Sequence, residues 1–189
     1  MNFLERAAKL RNEADLMMQE IRLYDILHPY GLVISTGSYF LDVMVYPDID
    51  LYIPLISIEQ LFQIGGQLAS SDKVFQVKFE KSSLANLPGG LYLKSRVEYG
   101  EWERPWKIDI WSLDEVTLKH QIEPMLSFKN KLTSEKRAQI IRYKMSILTE
   151  QKRTPMYSGY FIYKAFLDEG LSDDEQITAY LVANGIKMN

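Results

Sequence analysis

Asp48-Ile49-Asp50 sets two carboxylates inside a run that is otherwise built for a strand, with Val43, Met44 and Val45 before it and Leu51, Tyr52 and Ile53 after. Aspartate is poor in strand interiors, so two of them two positions apart need a reason. Alternate residues of a strand project to one face. Asp48 and Asp50 therefore point together, and Ile49 and Leu51 go to the core. Two adjacent carboxylates repel and resist desolvation. A divalent cation removes that conflict, and magnesium is held by one or two carboxylates plus water and phosphate oxygens. Taken alone, the pair reads more plainly as two solvent-facing residues of a half-exposed strand.

Two further segments extend the pattern. Upstream, the β-rich run Leu32–Ser35 leads into Gly37-Ser38. A glycine at a strand-to-helix turn lets the backbone approach a ligand. The segment Tyr39–Val45 has room for about two helical turns. Its free N–H groups would suit a phosphate, and Ser38 adds a hydroxyl; the plainer reading is a turn with Ser38 as N-cap. Downstream, Trp106–Trp111 reads as a strand with Asp109 between Ile108 and Ile110. If that strand lies beside Asp48–Ile53, three carboxylates converge, as two-metal phosphoryl or nucleotidyl transfer requires. The plainer reading is an edge aspartate bonded to a lysine such as Lys107.

Around these segments the spacing predicts one long helix over residues 2–27, ended by His28-Pro29-Tyr30-Gly31. It also predicts a helix from Ser57 to Leu68, with Ser57 as N-cap and Gln60 completing a capping box. Lys73–Lys81 alternates, placing Phe75, Val77 and Phe79 on one face. Leu91–Glu98 and Trp106–Trp111 form a long hairpin across the charged loop Tyr99–Pro105. After Pro124 the pattern turns helical, over roughly Ser134–Thr149, Gly159–Glu169 and Asp173–Ala183, with Gly170 and Gly185 at C-cap positions. The fold class is α+β: a mixed β-sheet core with a leading helix over residues 1–125, and a helical appendage over 126–189.

The chain of 189 residues is 47% hydrophobic and 25% charged, enough for a sizeable core. With no cysteine, thiolate chemistry, disulfides and cysteine metal sites are excluded. No apolar run reaches bilayer length. The first twenty residues are charged throughout, unlike a secretory or transit leader, so the expectation is a cytoplasmic protein with no membrane partner. A net charge of −3 argues against a surface made for duplex DNA. Residues 119–153 nonetheless carry nine Lys/Arg against three Glu. Such a block is usually a solvated helix face and otherwise a surface for an anion.

Gly-Ser, then nine intervening residues, then Asp-hydrophobic-Asp-hydrophobic, with a third aspartate on a later strand, resembles the nucleotidyltransferase superfamily. This is the polymerase-β-like fold of minimal nucleotidyltransferases and antibiotic adenylyltransferases. The resemblance covers roughly residues 30–112 and matches Gly37, Ser38, Asp48, Asp50 and Asp109. It implies that Asp48 and Asp50 bind two Mg²⁺ ions. Asp109 would bind the catalytic ion and help deprotonate an acceptor hydroxyl, while Gly37 and Ser38 would hold the β- and γ-phosphates of a nucleoside triphosphate, ATP being the expected one. An NMP would then pass to a hydroxyl on a small molecule, protein or RNA. Minimal members carry Arg-Gly after Gly-Ser and a serine before the first aspartate; here those places hold Leu41-Asp42 and Pro47.

Lys94 and Arg96 share a strand face and could reach a triphosphate; Lys94 is kept as a nucleotide-binding candidate beside the bland reading of a solvent ladder. Any of Lys129, Lys131, Arg142 and Lys144 could touch phosphate from the helical part. His28 and His120 are too isolated to form a metal pair, and Glu101 and Glu103 read as loop charge. Tyr157, Tyr160, Phe161, Tyr163 and Phe166 fit a helix packed on the core better than a stacking surface. Two other functions compete with the enzyme: a catalytically inactive relative serving as nucleotide sensor or antitoxin-like interaction module, and an RNA-binding protein using the basic block.

Overall fold

The computed structural model describes residues 1–188. Five strands form one mixed sheet in the order β1-β2-β5-β4-β3, with β1 Ile34–Thr36, β2 Asp48–Pro54, β3 Val74–Lys81, β4 Leu91–Val97 and β5 Trp106–Leu113. β2 and β5 are parallel; every other neighbouring pair is antiparallel. The helices are α1 Phe3–Glu20, α2 Leu23–Leu27, α3 Gly37–Leu41, α4 Ile58–Ala69, α5 Glu115–Lys131, α6 Ser134–Ser146, α7 Ser158–Leu167 and α8 Asp174–Ala183. The expected α+β class, a mixed sheet with helices before and after it, is what the chain forms.

Alternation divides the sheet into a dry face and an open one. Ile49, Leu51, Ile53, Leu93, Ile108 and Ile110 are buried with Leu10, Met17 and Leu23 of α1 and α2 and Leu61, Ile64 and Leu68 of α4. α4 lies close because Gly65 presents no side chain: a Cβ there would meet Val77 Cγ1 at 3.2 Å. The α4 start follows the sequence closely, with Ser57 and Gln60 forming the capping box. A second cluster joins Phe128, Ile140, Tyr143, Ile162, Phe166 and Ile177 of the C-terminal helices to Leu41 at the end of α3 and Val43 and Val45 after it. Thus the segment leading into β2 is also the seat of the C-terminal helices.

Several expectations are corrected. The helix over residues 2–27 is two helices, because Arg22 adopts φ 57° and breaks the ladder between α1 and α2. Helical spacing continues across the break, which is why periodicity alone misses it. The turns expected over Tyr39–Val45 begin earlier, at Gly37, and stop at Asp42, also left-handed with φ 57°. Phe75 does not share the inner face of β3: a register shift between Val74 and Gln76 leaves it 56% exposed. α5 begins well before Pro124 and continues through it across residues 125 and 126, with Asp114 capping its first turn. Gly185 closes α8 as expected, Ile186 N bonding Leu181 O and Gly185 N bonding Val182 O in a Schellman arrangement.

Candidate active site on the open sheet face

The open face is a grid fixed by register. One row runs Asp48, Lys107, Arg96, Gln76 across β2, β5, β4 and β3; the next runs Asp50, Asp109, Lys94, Lys78; the third runs Tyr52, Trp111, Tyr92, Glu80. The parallel pairing of β2 with β5 sets Asp50 directly opposite Asp109. Acids occupy the β2 side, bases the β4 and β3 side, and stacked Tyr92 and Trp111 (ring centroids 4.5 Å apart) border Asp109.

Each carboxylate has a different setting. Asp109 is held on both oxygens, accepting from Tyr92 Oη at 2.7 Å and from Lys107 Nζ at 2.7 Å. Asp48 Oδ1 lies 3.0 Å from Lys107 Nζ, an ionic contact without hydrogen-bond alignment, so that buried oxygen has no donor. Asp50 accepts no side-chain hydrogen bond among the described residues. Burial pushes its carboxyl up to about 8, reinforced by the Asp48 charge and opposed by Lys107. Asp48 is raised as well, chiefly by burial, with Lys107 countering. Lys107 is not the only charge opposing this: Arg104 acts on Asp48 and Lys144 on Asp50. Lys107 stays firmly protonated because these acids outweigh its own burial cost.

Gly37 completes the acid side. Its φ of 62° favours glycine, and a Cβ there would fall 2.6 Å from Asp50 Oδ2. Ser38 is buried beside it at the start of α3. Lys94 sits opposite Asp109 in register, bonded to no carboxylate among the described residues, and its ammonium is lowered by partial burial and by Arg96 and Lys78. Of the four phosphate candidates in the basic block, three are engaged elsewhere: Lys129 with Phe40 O, Lys131 with Asp168, Arg142 with Asp174. The fourth, Lys144, is 1% exposed, donates to Val43 O at 2.8 Å and feels Asp48 and Asp50. Burial lowers it to about 7, against the pull of those acids.

Tyr92 was not singled out from the sequence, and Lys107 was named only as the partner of Asp109 in the plainer reading, a bond that the structure does contain. The signal was available in the alternation: both fall on the Asp109 face once β4 and β5 are paired. Of the aromatics expected on a core-packed helix, Tyr163 and Phe166 lie in the core, whereas Tyr157 and Tyr160 are exposed; Glu103, expected as loop charge, pairs with Arg6. Among the described residues no three acids or histidines form a closed metal cage, Lys107 standing between Asp48 and Asp109. The donor set still fits a divalent cation: the orphaned Asp48 oxygen and the unbonded Asp50 carboxylate face the same side.

No protein-family model and no curated protein matches the sequence. Solved structures do. The GLD-2/RNP-8 complex superposes with a TM-score of 0.51 at 13% identity, over 98% of this chain and 74% of that one. The non-canonical poly(A) polymerase complex GLD-2–GLD-3 gives 0.51 at 15%, over 91% and 61%. The chain has the polymerase-β-like nucleotidyltransferase fold. A cytoplasmic RNA terminal U-transferase superposes at 0.48 and 15% identity over 78% of this chain, which spans about half of that enzyme's length, at 48%. In this nucleotidyltransferase fold Asp48, Asp50 and Asp109 share one open face, with Gly37 against them. No helix among the described residues is long and apolar enough to cross a membrane.

Proposed function

We propose that the protein is a cytoplasmic, magnesium-dependent nucleotidyltransferase that moves an NMP from a nucleoside triphosphate, ATP first, to a hydroxyl acceptor. The observation that carries this reading is the register of β2 on β5: Asp50 opposite Asp109, Asp48 on the same face, and Gly37 against Asp50. Asp48, Asp50 and Asp109 would hold the magnesium, two ions in the scheme the resemblance implies. Bound there, magnesium supplies charge neutralisation for the reacting phosphate and the departing pyrophosphate.

The chain's own residues do the remaining work. Gly37 and Ser38 seat the β- and γ-phosphates at the β1 side, where the absence of a Cβ leaves room beside Asp50. Lys144 and Lys94 bring positive charge from either side. Tyr92 and Lys107 fix the orientation of Asp109, which takes the proton of the acceptor hydroxyl. The acceptor oxygen forms a bond to the α-phosphorus as the bond from that phosphorus to the bridging oxygen breaks, and pyrophosphate leaves. Positioning and electrostatics carry the rate.

Pyrophosphate release from ATP, GTP, CTP and UTP with magnesium tests this. Release should depend on the metal and fall by a factor of at least about 10² in Asp50→Asn, the scale of losing one preorganised electrostatic group. Equal rates in both proteins would remove the reading. One observation favours a second one, a catalytically silent nucleotide sensor: Lys107 already places a cation between Asp48 and Asp109. In that case nucleotide binds with unchanged affinity when magnesium is withheld, and no pyrophosphate appears.

A further inference from the structure

Beside the acid cluster, on the β4 and β3 side, lies an open-sided cavity of about 390 Å³. Arg96, Arg104 and Arg153 line it with Gln76 and Gln151, and no carboxylate does. None of the three arginines has an ion-pair partner among the described residues. Nε and Nη1 of Arg104 are buried with no acceptor. Three guanidinium groups gathered without an ion-pair partner repel one another, and buried donors left unbonded cost free energy.

The cluster is built rather than incidental. Arg96 is held by register opposite Lys107 on one side and Gln76 on the other. Arg104 stands over the Tyr46 ring at 5.3 Å, and the Tyr46 hydroxyl pairs with Thr154 Oγ1 at 3.1 Å. Arg153 sits in a tight turn whose carbonyl accepts from Thr149 N at 2.8 Å and Thr149 Oγ1 at 3.0 Å, with Lys152 left-handed at φ 57°. Burial draws down the basicity of Arg104; Asp48 opposes this, and Arg96 and Arg153 add to it, which places all four charges within reach of one another.

Position decides the occupant, resting on the nucleotidyltransferase reading. In-line displacement puts the attacking oxygen opposite the leaving pyrophosphate. With the triphosphate at Gly37-Ser38 beyond β2, the acceptor approaches from β4, which is where the arginines are. We infer that Arg96, Arg104 and Arg153 form a phosphate-binding subsite for the acceptor, so that the hydroxyl substrate is a phosphate-bearing molecule. Planar guanidinium forks match phosphate oxygens in pairs, and the unbonded N–H groups of Arg104 are the donors such an anion would take.

Calorimetric titration of the whole chain with inorganic phosphate, without nucleotide or magnesium, tests the subsite separately from the catalytic reading. Saturable binding is expected, about tenfold weaker in Arg96→Gln and in Arg153→Gln, the loss of one charged hydrogen-bond set. Arg104→Lys keeps the charge but not the fork and should weaken binding similarly while the thermal unfolding midpoint holds. Adenosine 5′-monophosphate and a pentauridylate RNA then distinguish the source, the tighter one naming a phosphomonoester or a nucleic-acid backbone. Phosphate affinity unchanged in all three variants would overturn the subsite, as would competitive displacement of phosphate by ATP. Failure of the wild-type chain to bind ATP would instead strike the nucleotidyltransferase reading and leave the phosphate result standing.

Discussion

Gly37 and Asp50 are in such close contact that a single methyl group at residue 37 would fall 2.6 Å from Asp50 Oδ2. The glycine also adopts φ 62°. Gly37→Ala therefore meets two costs, a left-handed backbone worth about 1–2 kcal/mol and displacement of a carboxylate from the cluster. Urea unfolding should show a loss of about that size, and a magnesium titration should show weaker binding. An alanine variant with the wild-type midpoint and metal affinity would contradict the contact.

The raised carboxyl of Asp50 gives a pH signature. Below about pH 4 the group is protonated in folded and unfolded chains alike. Between pH 4 and 8 the unfolded chain ionises it while the folded chain keeps the proton, its value standing near 8 against the usual 3.8. Folded stability therefore falls as pH rises through that window, by up to about 1.4 kcal/mol per unit, and levels above pH 8. Asp50→Asn should lack this slope in denaturation curves collected at successive pH values. Magnesium competes with the same proton, so its affinity for the wild type should increase towards pH 8.

Lys107 holds Asp109 at 2.7 Å and Asp48 at 3.0 Å with its side chain only 18% exposed. Lys107→Met leaves two buried carboxylates without their cation, a loss of about 3–5 kcal/mol by analogy with other broken buried pairs. Added magnesium should recover part of it, because a divalent ion can take over the ammonium's role. Thermal unfolding with and without magnesium reads both effects; a methionine variant as stable as wild type in metal-free buffer would show the pairing to be idle.

Arg22 separates α1 from α2 at φ 57°, and its contact with Asp25 is largely exposed, at 75% and 65% for the two side chains. Such a pair contributes little. Arg22→Gly removes the left-handed strain and should stabilise the chain by up to about 1 kcal/mol, seen as a higher unfolding midpoint. A lower midpoint would assign the bend to arginine contacts instead.

Patterns of period two and 3.6 made β2, β5, α4 and the C-terminal helices legible, because each carries its apolar stripe in local sequence order. Ser57 and Gln60 announced their capping box for the same reason. The break at Arg22 was hidden, since the buried positions of α1 and α2 keep helical spacing across it. α5 was half hidden by Pro124, which the helix tolerates. Phe75 was misplaced because a bulge changes alternation without changing composition.

By itself the sequence determined that Asp48, Asp50 and Asp109 leave the apolar faces of their strands, since alternation within one strand is a property of local backbone geometry. Only the tertiary structure decided that β2 and β5 pair in parallel with Asp50 opposite Asp109. It also decided that Lys107 stands between two of the acids, that Lys144 of the basic block reaches them, and that Arg96, Arg104 and Arg153 meet. These relations join residues far apart in the chain, and they exist because burying the opposite sheet face under α1, α2 and α4 fixes one register and leaves the charged face open.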